Sequence, residues 1–184
     1  MLRNQIRIIG GRWRRQLLSF PDGDGLRPTS DRVRETLFNW LGQDLHGQHC
    51  LDLFGGSGAL SFEAASRFAE RVLTFELNQH AYRQLQDNRK KLDARMIEVR
   101  QGDALRQLSG LQERFDVIFA DPPFAANLLP QVLAGAARVL KPHGYLYIES
   151  AALPEISAPW EIHRQGKAGQ VHYALLQLVH ETAV

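Results

Sequence analysis

The sequence predicts an open, mostly parallel α/β sheet with helices on both faces, ending in an antiparallel strand pair. Three observations carry this expectation. From His49 onward, short apolar runs alternate with helical patterns, as βαβ units require. The run Phe115-Asp116-Val117-Ile118-Phe119-Ala120 is rich in β-branched and aromatic residues and stops at Asp121-Pro122-Pro123-Phe124, like a buried central strand cut off at its carboxyl edge. Near the end, runs at 160–164 and 171–179 are joined through Gly166-Lys167-Ala168-Gly169, which suits a closing antiparallel pair.

Taken in order, Ile6-Arg7-Ile8-Ile9 and Arg12-Trp13-Arg14-Arg15-Gln16-Leu17-Leu18 read as two strands around a tight Gly10-Gly11 turn. Trp13 either shares an exposed face with the arginines or anchors the hairpin to the body. Pro21-Asp22-Gly23-Asp24-Gly25 has no apolar period and reads as a loop. A helix follows, with Thr29 or Ser30 as N-cap, Asp31 in its first turn, and Val33, Leu37, Phe38, Trp40 and Leu41 on one face. Five strands are then expected at 49–54, 71–75, 96–101, 115–120 and 145–149. Helices fall at 59–68, at 79–92 behind an Asn78 cap, after Asp103, and at 128–140. With the closing pair the sheet has seven strands. The chain divides into a basic N-terminal part, 1–46, and a sheet domain, 47–184.

Hydrophobic residues make up 44% of the 184 positions and charged ones 23%, which fits one globular domain with a real core. The single cysteine, Cys50, lies within a predicted strand, so no internal disulfide framework forms and a reducing, cytoplasmic setting is expected. No signal-like segment and no apolar run of membrane-spanning length is present. The seven histidines show no ligand spacing, so no metal is expected. Net charge is only +2, yet residues 1–34 hold eight arginines against three acids. This local excess points to a polyanion, and arginine suits both phosphate forks and stacking on bases. The candidate nucleic-acid contacts are Arg3, Arg7, Arg12, Arg14, Arg15, Arg32 and Arg34, together with Lys167 in the closing turn. The start of the first helix, with Arg27 and Thr29 beside free backbone amides, also offers a place for an anion.

Ligands of open α/β sheets sit at the carboxyl edges of the strands. There Asp121, two prolines that fix backbone carbonyl directions and the flat Phe124 ring could hold a planar base by its amino group. The turn Leu51-Asp52-Leu53-Phe54-Gly55-Gly56-Ser57-Gly58 is glycine-rich, but counting from Gly56 and Gly58 the third glycine of a dinucleotide fingerprint is Ser61. Glu76 and Gly102-Asp103-Ala104 close the next two strands. Three acids at successive strand ends describe an adenosine site better than a pyrophosphate site, which they would repel.

These motifs resemble those of class I S-adenosylmethionine-dependent methyltransferases that modify exocyclic amines. More narrowly, Arg27-Pro28-Thr29, the stretch from Asp31 to Leu41, the Gly55-to-Gly58 loop, Asp121-Pro122-Pro123-Phe124 and Gly169-Gln170-Val171 resemble the bacterial RsmD-type family. Gly55-Gly56 departs from the alanine that many relatives carry first; no chemical group is lost by it. The resemblance implies a Rossmann-like methyltransferase fold and transfer of a methyl group to N2 of one guanine, position 966, in 16S ribosomal RNA. It further implies a 30S subunit or late assembly intermediate as partner, and nothing demands more than a monomer. Glu76 would take the ribose hydroxyls and Asp103, with Ala104, the adenine amino group. Phe54, Gly56, Gly58 and Leu77 would line the cofactor, Asp52 would order the loop or meet the methionine ammonium, and Arg27, Pro28 and Thr29 would close the pocket. Asp121, Pro122, Pro123 and Phe124 would hold the target base. The tetrad does not name its amine, so adenine and protein glutamine stay open as acceptors, as does a non-catalytic RNA-binding assembly factor. Complete acids at the cofactor positions argue against lost catalysis. An NAD-dependent oxidoreductase is disfavoured by the missing glycine.

Overall fold

The structure is a computed structural model that describes residues 4–23, 28–123 and 126–179. Nine strands and five helices are found among them, in the order β1 (Asn4–Arg7), β2 (Leu17–Phe20), α1 (Asp31–Trp40), β3 (His49–Asp52), α2 (Ala59–Ser66), β4 (Arg71–Glu76), α3 (Gln79–Lys91), β5 (Ile97–Gln101), α4 (Ala104–Gly110), β6 (Phe115–Ala120), α5 (Leu129–Val139), β7 (Leu140–Ser150), β8 (Trp160–Ala168) and β9 (Val171–Leu178). The main sheet runs β5-β4-β3-β6-β7-β9-β8, parallel except where β9 enters, and β1-β2 form a separate antiparallel ribbon. This is the Rossmann-like architecture expected from the sequence. The chain leaves β3 in one direction to β4 and later returns to its other side as β6. The topological switch therefore lies between β3 and β6, where the carboxyl ends open a crevice.

Alternation along each strand sorts the core into two layers. Cys50, Val72, Val117, Phe119, Tyr147 and Leu175 pack with α1, α2, α3 and the N-terminal ribbon, whereas Leu51, Leu73, Ile118, Leu146, Ile148 and Leu176 pack with α4 and α5. Helix α1 begins at Ser30, whose side-chain oxygen accepts the Val33 amide hydrogen, and buries Val33, Leu37 and Phe38, the last against Phe119. Helix α2 has no polar face: every residue of Ala-Leu-Ser-Phe-Glu-Ala-Ala-Ser is buried. A helix hydrophobic all round is covered on both sides. Here the sheet covers one side and the chain between β1 and β2 the other.

That second cover corrects the expected tight hairpin. The strands are shorter than predicted, and residues 8–16 form a wide connection in which the Arg12–Arg15 stretch turns rather than extends. Glu63, the one charge in α2, explains why. Its carboxylate accepts the amide hydrogens of Ile9 (2.9 Å) and Gly10 (2.8 Å), Arg67 Nε–H (2.9 Å) and Arg34 Nη1–H (3.4 Å). Ser66 Oγ accepts from the Trp13 amide and donates to the Gly10 carbonyl, while the Arg12 amide reaches the Ser66 carbonyl. Past the backbone bonds of Ile8 with Gln16 and Arg15, both 2.9 Å, these contacts take the place of a ladder across the loop. Gly11 has φ +76°, and a Cβ there would fall 1.9 Å from the Ser66 carbonyl oxygen, so the approach requires glycine. Trp13 is partly buried against the core, as an anchor of this loop.

A second difference concerns Lys141-Pro142-His143-Gly144, expected to close the preceding helix. It belongs to β7, which starts directly after α5. A register shift between Phe115 and Val117 accommodates the extra residues, and Lys141 Nζ donates to Asp116 Oδ2 at 2.8 Å across it.

Removing Glu63 takes a charged acceptor from the Arg34 guanidinium, itself without solvent exposure, and leaves the Ile9 and Gly10 amide hydrogens and Arg67 Nε–H without that partner. Glu63→Ala is expected to lose about 3–5 kcal/mol in urea unfolding and to open residues 8–16 to proteolysis. A variant with wild-type stability would show that the network is not what holds this layer.

Candidate active site

The predicted acids do converge on the carboxyl edge of the sheet, and each is held differently. Asp52 ends β3 almost fully buried, its carboxylate accepting Ser61 Oγ–H (2.5 Å) and the Phe54 amide hydrogen (3.3 Å); Ser61 Oγ lies 2.8 Å from Thr74 Oγ1. Burial pushes the Asp52 carboxyl up to about 6, with the Ser61 bond opposing it. Asp52 therefore orders the glycine loop from beneath. Gly58, at φ +81°, caps α2, and a Cβ there would crowd Leu85 (2.7 Å) and Phe62 (2.8 Å). Its amide donates to the Gly55 carbonyl at 2.8 Å.

Glu76 ends β4 half-buried. One oxygen accepts the Gly56 amide hydrogen (2.6 Å) and the other that of Asn78 (2.7 Å), which ties the second strand end to the loop of the first. Each oxygen keeps further acceptor capacity. Beside it Leu77 is 69% exposed, an apolar side chain that the fold does not use. Asp103 is exposed at the end of β5 and caps α4 through the Arg106 amide (2.9 Å), with Ala104 buried behind it. A carboxylate with acceptor capacity to spare, an exposed apolar side chain and a second acid in a row match the chemistry of an adenosine: hydroxyls, a flat apolar face and an amino group. The residues present fit S-adenosylmethionine, with Phe54 and Gly56, both half-buried, on the side toward β3.

Asp121 follows β6 and keeps part of its surface exposed. Pro122 is buried and Pro123 exposed; Phe124 lies outside the described residues, as do Arg27 and Arg3. The structure adds two groups that the sequence pattern did not single out. Ala120 pairs with Ile148 in β7, so Glu149 stands beside Asp121 one position on, and Tyr147 shares its face. Thr29 Oγ1, buried, donates to Glu149 Oε1 at 2.7 Å and lies 3.4 Å from Asp121 Oδ2; Tyr147 OH also donates to Glu149 Oε1 at 2.7 Å. Burial, then the Glu149 and Asp52 charges, hold the Asp121 carboxyl well above the usual carboxylate range. Glu149 is raised too, by burial, with the Tyr147 and Thr29 hydrogen bonds opposing. A charged residue ending the otherwise apolar Tyr145-Leu146-Tyr147-Ile148 run was the available sequence signal.

Among the basic residues, Arg7, Arg12, Arg14, Arg15, Arg32 and Lys167 are exposed. Arg12 lies over the Phe68 ring, 4.9 Å from its centroid. Arg34 is a correction: expected at an RNA-facing surface, it is fully buried. Its guanidinium donates to the carbonyls of Thr29 (3.1 Å) and Arg7 (2.9 Å) as well as to Asp31 and Glu63. No group of three or more histidines, cysteines, aspartates or glutamates among the described residues could hold a metal ion. No helix among the described residues is long and apolar enough to cross a membrane.

Comparison with known proteins gives concordant matches. Residues 6–177 match the family described as conserved hypothetical protein 95. The chain is 42% identical over 182 residues to ribosomal RNA small subunit methyltransferase D of Escherichia coli, covering 94% of this chain and 90% of that one. It is 40% identical over 184 residues to the protein of that name from Haemophilus influenzae, covering 95% of each. A solved E. coli structure, described as a candidate methyltransferase, superposes with TM-score 0.88 at 40% identity, covering 97% of this chain and all of that one.

Asp52 supplies a test of the buried acids. Its ionisation is penalised in the fold and not in the unfolded chain, so its stabilisation is complete below the ordinary value of 3.8 and is lost as pH rises through about 6. Asp52→Asn can keep both hydrogen bonds, with its amide group donating to Ser61 Oγ. The gain of D52N over wild type in urea unfolding is expected to grow across that window and level off at about 1–3 kcal/mol; a pH-independent difference contradicts the assignment.

Proposed function

The chain belongs to the RsmD family, conserved hypothetical protein 95, and from that premise we propose that it methylates the exocyclic N2 of a guanine, position 966, in 16S ribosomal RNA. The observation that carries the chemistry is the place of Asp121: at the switch-point crevice, partly exposed, with one oxygen toward the buried Thr29 hydroxyl and the other without a hydrogen bond among the described residues. S-adenosylmethionine, when bound along Glu76, Leu77, Asp103, Ala104, Phe54 and Gly56, supplies an electrophilic methyl group.

The guanine N2 lone pair is delocalised into the ring, so the planar amine is a poor nucleophile. Asp121 and the Pro122 carbonyl, accepting its two N–H bonds, draw the nitrogen toward a tetrahedral shape and aim its lone pair. Positioning and fixed dipoles then supply most of the rate. No strong base is required, because the amine proton becomes acidic as the new N–C bond forms and Asp121 can take it. An unstacked base would rest beside Pro123, with stacking on Phe124 as the family motif implies. Pro28 and Thr29 close the crevice from the side of α1 in this reading, and the family motif assigns Arg27 the same role.

The exposed arginines of the 8–16 loop, with Arg7, Arg32 and Lys167, form the polyanion contact in this reading, and the partner is 16S RNA in a 30S subunit or late assembly intermediate. A buried free Cys50 is consistent with the reducing cytoplasm. We place the chain there as a monomer.

Labelled methyl transfer to undermethylated 30S subunits, followed by nucleoside analysis, is expected to yield N2-methylguanosine at one site; labelled adenine or protein would refute the choice of amine. Asp121→Ala should retain S-adenosylmethionine binding in calorimetry and lose at least about 100-fold in turnover. Substituting Arg12, Arg14 and Arg15 together by alanine should weaken subunit binding, with a shallower salt dependence, and leave cofactor affinity unchanged. Equal loss of both affinities would sink that role.

A further inference from the structure

Asp121 does not stand alone. It faces a second buried acid, Glu149, across a single hydroxyl, and two like charges so placed resist ionising together. We propose that Glu149, acting through the Thr29 hydroxyl, is a positioning residue for the transfer reaction: the two carboxyl groups share one proton, and its loss decides when Asp121 is free to accept the amine hydrogens. The inference rests on the reading of Asp121 as the acceptor of the amine N–H bonds.

The geometry dictates how the proton is divided. Glu149 Oε1 receives two hydroxyl hydrogens, from Thr29 and Tyr147, each at 2.7 Å, and these stabilise its charged form. Thr29 has only one hydrogen, which serves Glu149 at 2.7 Å and reaches Asp121 Oδ2 only at 3.4 Å, so Glu149 takes most of the stabilisation that the hydroxyl gives to the charged forms. The pair thus favours a charged Glu149, a bridging Thr29 and a protonated Asp121. In that state one Asp121 oxygen carries hydrogen and is a poor acceptor for an amine. When the pH rises, the shared proton leaves to solvent and both Asp121 oxygens become acceptors. No bond other than O–H is made or broken in this step.

The surroundings of the pair reinforce the sharing. Asp52 approaches from β3 with a third negative charge, and Tyr147 and Tyr173, the latter opposite Glu149 on β9, present phenols. From the α1 side, Arg34 grips the Thr29 carbonyl but spends its charge on Asp31 and Glu63. Among the described residues no lysine, arginine or histidine forms an ion pair with Asp121 or Glu149. Arg34 also fixes Thr29 from behind, through its carbonyl. The hydroxyl is therefore held in place from both ends.

Two variants move the pair in opposite directions. Glu149→Gln keeps an oxygen for both hydroxyls but removes the like charge, so Asp121 ionises more easily and the acid limb of the single-turnover pH profile shifts down, by about one unit or more. Thr29→Val removes the bridge and leaves both carboxyls, so the limb shifts up; Thr29→Ser restores the wild-type position. A merely structural role predicts lower stability or turnover with the limb unmoved, and that result overturns the proposal. The protein alone gives a second readout. In infrared pH titrations, the protonated-carboxyl band above the ordinary carboxylate range is expected to lose one carboxyl in E149Q. An unchanged band overturns the sharing whether or not the variant turns over. If wild-type protein methylates no exocyclic amine, the function proposed for Asp121 falls, and the infrared result still decides the shared proton.

Discussion

Glu63 is the constraint on which the N-terminal third of this fold depends. It lies at the centre of a helix buried on every side, with no water to solvate its charge, and the free energy of an isolated carboxylate there would be prohibitive. Arg34 and Arg67 neutralise it, and the Ile9 and Gly10 amides complete its hydrogen bonding. The four partners come from three segments: the wide loop, helix α1 and the end of α2. One carboxylate thereby fixes where three segments sit. Arg67 also lies over the Phe38 ring, 5.0 Å from its centroid, so the charged centre and the apolar layer share a boundary.

Through Arg34 the same network reaches the crevice. The guanidinium binds the carbonyls of Arg7 and Thr29, so the strand leading into the basic loop and the residue facing Asp121 are positioned by one planar group. Under the roles proposed for them, the basic loop and Asp121 need to stand in fixed relation. A buried arginine with five donors provides that, where a surface arginine reaching for phosphate would not. The basic character of the N-terminal region thus has two physical uses, one solvent-facing and one internal.

The acids at the strand ends follow the opposite logic. Asp52, Asp121 and Glu149 are gathered on one side of the sheet with hydroxyls between them and raised proton affinities. Such a cluster lowers stability near neutral pH and concentrates acceptors at the crevice proposed to hold the amine. Glu76 and Asp103, further along the same edge, bind backbone amides and remain open to solvent, which suits the cofactor role proposed for them.

The sequence by itself determined the order of strands and helices, the seven-stranded sheet, the Asn78 cap and the acids at the carboxyl edge. All of these are encoded locally, in hydrophobic period, capping residues and abrupt stops such as Asp121-Pro122. The family was legible for the same reason, since its motifs are short contiguous runs. What only the tertiary structure decided is which charges turn inward and which acids become neighbours. Arg34 and Arg32 sit two apart on one helix, yet the first is sealed and the second exposed, because a carboxylate 29 residues beyond Arg34 waits on one side only. Glu149 and Asp121 are brought together by strand register, and the wide loop by bonds to α2. Such pairings depend on long-range geometry, which no local pattern of residues records.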